Sequence, residues 1–172
     1  MKFLLRGVAG HPLHPPLTDV AIGAYTVSAA MAVVSRLGIS EHNTATAWWL
    51  ALIVGLIATA PAAITGFVDW LDITSGTPLW RTATAHLAVM LAATVIFAIT
   101  AGAGHADYVD RSISGGALIL TLVGYGLLSV GGWLGGSVVF VHGMRVLNLV
   151  DEPALRAAAP VATPEKREAE GA

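Results

Sequence analysis

Six histidines lie along this 172-residue chain, and the chemistry open to them is that of neutral imidazole: an axial ligand for haem iron, or a nitrogen ligand for iron, copper or zinc. Four of them, His11, His14, His86 and His142, stand near the ends of apolar runs, together with Asp19, Asp69, Arg81 and Arg145. The chain has no cysteine. That removes disulfides, zinc ribbons, thiolate-held iron–sulfur clusters, thioether-attached haem and cysteine nucleophiles, so any metal must take nitrogen or oxygen ligands. No nucleophile–base constellation and no phosphate-binding loop is visible, which makes a self-contained enzyme the least expected class.

The elements that must position these residues follow from composition. Hydrophobic residues make up 55% of the chain and charged ones only 12%, with a mean hydropathy of +0.72, whereas soluble domains carry about a quarter charged residues. The chain reads as an integral membrane protein. A helical span needs about 20 apolar residues, and four runs qualify: about 17–34, 46–67, 82–101 and 117–141. Runs this long must be helices, because a barrel would show alternating strands of about ten residues. The expectation is an all-α, up-down-up-down four-helix bundle over residues 1–150. The segment 151–172, rich in Ala, Pro, Glu and charge, is expected to be a disordered tail. Trp48, Trp49 and Trp70 at run ends read as interfacial anchors. No internal repeat is convincing.

Orientation comes from the basic residues. One side receives Lys2, Arg6, Arg81, Arg145, Arg156, Lys166 and Arg167, the other only Arg36 and Arg111, so both termini are expected on the cytoplasmic side of a bacterial inner membrane. His11, His14, His86 and His142 then gather at that face, while His42 and His105 fall opposite. His86 sits about four residues inside its run, roughly 6 Å deep. Ionisable groups at depth face a bundle interior and call for a partner or ligand. With a net charge of −2 and no basic stripe, nucleic acid is not a partner.

The fourth run carries Gly124, Gly131, Gly135 and His142 at spacings of 7, 4 and 7, which keeps them on one side of a helix. Its GGWLGG stretch holds two overlapping small-xxx-small pairs, Gly131 with Gly135 and Gly132 with Gly136. Such pairs permit close backbone approach by another helix, including one from a second copy, or by a flat macrocycle. The non-catalytic alternative is a membrane scaffold or assembly subunit that uses this face for packing. Transport is disfavoured, since no charge lies near the midplane of any run.

GHPLHPPLTD at Gly10 to Asp19, GFVDW at Gly66 to Trp70, the intramembrane His86 and GGWLGGSVVFVHG at Gly131 to Gly143 together make the chain resemble the bacterial domain-of-unknown-function family 2231. The resemblance implies a small four-helix membrane protein. Some members are fused to Rieske-type iron–sulfur domains, which implies a redox context; a Rieske-type or other redox partner is expected to be a separate protein here.

The leading expectation is a redox or metal-binding module. In its haem form, His86 and His142 ligate one b-type haem, the Gly131–Gly135 face accepts the macrocycle, and Arg81 and Arg145 pair with the propionates. In its metal-ion form, His11, His14, His86 and His142 gather around iron, copper or zinc, with Asp19 and Asp69 as oxygen ligands or as partners of the imidazoles. Plainer roles stand beside these. HPLHPP is equally an interfacial loop, Asp19 a partner of the helix dipole, and His86 a histidine bonded to Asp69 or to a backbone carbonyl.

Overall fold

The computed structural model describes residues 13–144. Five helices follow one another: α1 His14–Arg36, α2 Glu41–Leu71, α3 Pro78–Ala103, α4 His105–Asp110 and α5 Gly115–Phe140, with no strand among the described residues. α1, α2, α3 and α5 are long and apolar enough to cross a membrane. Even α1, with 23 residues, runs about 34 Å, against a hydrocarbon core of about 30 Å. The all-helical bundle expected from composition is the one observed.

The long helices begin two to five residues before the apolar runs do, because hydrogen bonding, not hydropathy, decides where a helix starts. Pro15 and Pro16 occupy the first turn of α1, where a missing N–H costs nothing. Thr77 caps α3 by accepting from Trp80 N at 3.1 Å, with Pro78 at the first helical position. Ser114 caps α5 by accepting from Ala117 N at 3.2 Å. Asp107 of α4 in turn accepts from Ser114 N and Oγ at 2.9 and 2.8 Å, tying the short helix to the start of α5. Two site residues are placed along their helices by these starts. His14 is the first residue of α1 rather than part of a preceding loop. His86 lies eight residues past the start of α3, about 12 Å along its axis.

α1 packs chiefly on α2 and α3 chiefly on α5, and the contacts between the two pairs are sparser. The pairs repeat one another. Adding 72 to a position in α1 gives its counterpart in α3, and the buried Ala21, Tyr25, Ser28 and Ala29 map onto the buried Ala93, Phe97, Thr100 and Ala101. Adding 69 carries α2 onto α5, so that Gly55, Ala62 and Gly66 map onto Gly124, Gly131 and Gly135. Equivalent contacts accompany equivalent residues: Gly55 lies against the ring of Tyr25, and Gly124 against the ring of Phe97. Those two rings stack on each other with centroids 3.9 Å apart and planes 7° from parallel, as counterparts facing across a two-fold axis do. In an up-down-up-down bundle α1 and α3 run the same way, so this is a parallel repeat about an axis along the membrane normal. The sequence reading missed it because few counterparts are identical and the offset changes between helices.

Trp48 differs from expectation. Trp48 is fully buried and donates from Nε1 to Thr121 Oγ1 at 2.9 Å, joining α2 to α5. A ring that large in a bundle of small residues fills the core, and its indole N–H finds a partner there. Trp49 donates to Ala101 O at 3.0 Å and stacks on Tyr108 of α4. Trp70 donates to Thr84 Oγ1 at 2.9 Å, which ties the end of α2 to α3.

Candidate functional site

At the end of the bundle where α1 and α3 begin, the repeat places two imidazoles in equivalent settings. His14 Nδ1 lies 2.9 Å from Ala62 O, and His86 Nδ1 lies 2.8 Å from Gly131 O. Ala62 and Gly131 are counterparts. Four residues further along each helix stands a glycine against the ring: a Cβ at Gly66 would stand 2.6 Å from His14 Cε1, and one at Gly135 3.0 Å from His86 Cε1. Each ring therefore lies flat on a bare patch of the neighbouring helix. A carbonyl only accepts, so Nδ1 carries the proton in both rings and donates, and a neutral imidazole then keeps its lone pair on Nε2. Among the described residues, the hydrogen bonds of both rings are made at Nδ1.

Both histidines line one cavity of about 290 Å³. The repeat is symmetric in its imidazoles and asymmetric in the rest of its walls. α1 and α2 contribute Thr18, Asp69 and Trp70, whereas their counterparts on α3 and α5 are Met90, Val138 and Val139. At these positions the first hairpin is the more polar of the two. Asp69, 9% exposed, also lines the cavity from α2.

The other expected site residues are distributed differently. His142, expected to pair with His86, does not line the cavity. Its Nε2 is 2.9 Å from Thr82 Oγ1, and since Thr82 donates to Pro78 O, Nε2 of His142 is the donor there. The partner of His86 across the cavity is His14. Gly131 and Gly135 lie against Met90 and His86 of α3, so this glycine face is filled by helix packing and by an imidazole. Asp19 and Arg81 are exposed and outside the cavity wall. His11 and Arg145 fall outside the described residues. Among the described residues no three His, Asp or Glu side chains form a metal-binding group. The signal that could have singled out His14 was present in the sequence: a histidine 72 residues before His86, with Gly66 69 residues before Gly135.

The fold and site together define a small four-pass membrane protein, duplicated internally, with paired histidines at a cavity between its halves. Residues 10–148 match the model of the family described as "Predicted membrane protein (DUF2231)", and the chain belongs to that family. No curated protein and no solved structure matches it.

Proposed function

We propose that this protein is a redox module of the bacterial inner membrane that works at the His14–His86 cavity, through the Nε2 lone pairs of the two imidazoles. One observation carries the reading: two counterpart histidines at one cavity, each with Nδ1 held by a main-chain carbonyl. That second hydrogen bond is the usual companion of a ligating imidazole, because it fixes the tautomer and raises the basicity of the other nitrogen. A b-type haem asks the protein for two axial nitrogens, and His14 with His86 supplies two. A bare iron, copper or zinc ion asks for three or four ligands, more than the described residues bring together. Donor number therefore favours haem over the metal-ion form. The excess of basic residues on one side supports placing the cavity, and both termini, toward the cytoplasm. A Rieske-type or other redox protein is the partner this role requires.

The test is an oxidised-minus-reduced absorption spectrum and a metal analysis of the protein purified in mild detergent. A Soret band lost in both His14→Ala and His86→Ala but kept in His142→Ala is the haem outcome. A wild-type chain that holds no haem, metal or membrane-soluble redox molecule after expression with ample haem and iron overturns the reading.

The scaffold alternative keeps one specific observation. Gly132 has open space above it and Trp133 beside it is 79% exposed, which leaves the Gly132–Gly136 face of α5 available to a second copy. Leucine at Gly132 and Gly136 disrupts a complex under that reading and leaves cofactor content unchanged under the first.

A further inference from the structure

We propose that the cavity binds the hydroquinone headgroup of a membrane-soluble quinol in preference to the corresponding quinone. The proposal rests on the reading that the His14–His86 cavity is the working site, and names what occupies it.

The first argument is the hydrogen-bonding character of the walls. Among the described residues, every side-chain donor that lines the cavity is already engaged: His14 Nδ1 with Ala62 O and His86 Nδ1 with Gly131 O, Thr18 with Pro15 O, Thr59 with Gly55 O, Thr94 with Met90 O, and Trp70 with Thr84. Pro15 and Pro16 have no N–H, so the start of α1 offers little of the donor array that makes a helix N-terminus attract anions. What remains to meet a ligand is a set of lone pairs. Such a cavity disfavours carboxylates and diones, which bring only acceptors, and takes molecules that bring O–H or N–H donors.

Shape and symmetry narrow the class. The two lone pairs sit on counterpart residues of a two-fold repeat, and a 1,4-dihydroxybenzene carries two O–H groups on opposite sides of one ring. An engineered apolar cavity of about 150 Å³ binds benzene, so a space of about 290 Å³ suits one substituted ring. Leu87 and Met90 give the ring substituents an apolar wall. Ile22, Phe67 and Leu91 line the cavity and are also 38%, 47% and 63% exposed, which places the cavity wall at the lipid-facing surface and gives a long apolar tail a way out.

A haem iron also takes imidazole lone pairs, and the experiment separates the two. The full chain, with histidine labelled by ¹⁵N and reconstituted in phosphatidylcholine nanodiscs, is titrated anaerobically with durohydroquinone, its dimethyl ether and duroquinone while the Nε2 resonances are followed. The diol is expected to move the resonances of both His14 and His86, with a midpoint at least about tenfold below those of the ether and the dione, the discrimination two lost hydrogen bonds imply. His14→Asn and His86→Asn keep an amide N–H where Nδ1 was but have no Nε2, and each is expected to weaken diol binding about tenfold. If these variants do not fold, the comparison of diol with ether and dione on the wild-type chain decides alone. Equal midpoints, or movement of one histidine only, overturn the proposal. Stoichiometric haem bound through the two histidines overturns it and leaves the redox reading standing, whereas absence of haem, metal and diol binding defeats both.

Discussion

Gly66→Ala and Gly135→Ala are the same substitution at counterpart positions, and the structure predicts different outcomes. A Cβ at Gly66 would come 2.6 Å from Cε1 and 2.8 Å from Nδ1 of His14, while at Gly135 the corresponding distances to His86 are 3.0 and 3.2 Å. Ordinary contact begins at 3.4 Å, so the first ring must retreat by about 0.8 Å and the second by about 0.4 Å. Their freedom to do so also differs. His14 is the first residue of α1 and can swing away from α2, whereas His86 lies well inside α3 and is held between helices. Expelling His14 loses one hydrogen bond, about 0.5–1.5 kcal/mol. Ala62 O remains paired through the α2 ladder, and alanine returns up to about 1 kcal/mol of helix propensity. Gly66→Ala should therefore change stability by less than about 1 kcal/mol yet remove His14 from the cavity. Gly135→Ala should leave His86 in place, at a packing cost of about 1 kcal/mol. Thermal unfolding in detergent reads the stabilities, and ¹⁵N spectra of the labelled histidines read the tautomers: the Nδ1–H signature of His14 is lost in the first variant and that of His86 is kept in the second. An unchanged His14 signature in Gly66→Ala would refute the claim that the bare glycine surface is what seats the ring.

Other expectations follow from the same geometry. Trp48→Phe should cost about 1–2 kcal/mol in unfolding experiments, and the cycle with Thr121→Val should show a coupling of about 0.6 kcal/mol for the indole–hydroxyl bond, the average found inside membranes. His142→Ala should leave cavity binding intact, measured by the same titration that shows a loss for His86→Asn. Reporter domains fused to either terminus should both report the cytoplasmic side, as the basic-residue bias requires.

How much of this was legible beforehand varied with the kind of force involved. Hydropathy located all four spans, because desolvation acts on each run independently of the rest. It missed the helix ends, where Thr77, Ser114 and the Pro15–Pro16 pair decide. The convergence of His14 and His86 at one end of the bundle was readable from topology. Their pairing was not, because it depends on which helix lies beside which: α3 and α5 are adjacent, which made His86 and His142 look like partners, yet the cavity lies between the two hairpins and not within one. Trp48 was misread for a related reason, since the side of α2 that turns inward depends on the glycines and alanines of other helices. The repeat escaped notice because it is conserved in packing rather than in residue type.

The unequal packing of the bundle, dense within each hairpin and sparse between them, bears on how the chain enters the bilayer. α1 and α2 are joined by a short turn containing Gly38 at φ 76°, so the first hairpin can close as soon as α2 leaves the ribosome, well before α3 is made. Local closure of this kind is fast. Membrane helices, once inserted, associate by packing in a later stage, and here that stage amounts to one docking event between two preformed units. The Tyr25–Phe97 stack and the Trp48–Thr121 bond are formed only then. Substitutions there should slow assembly of the finished protein while leaving insertion of each half untouched.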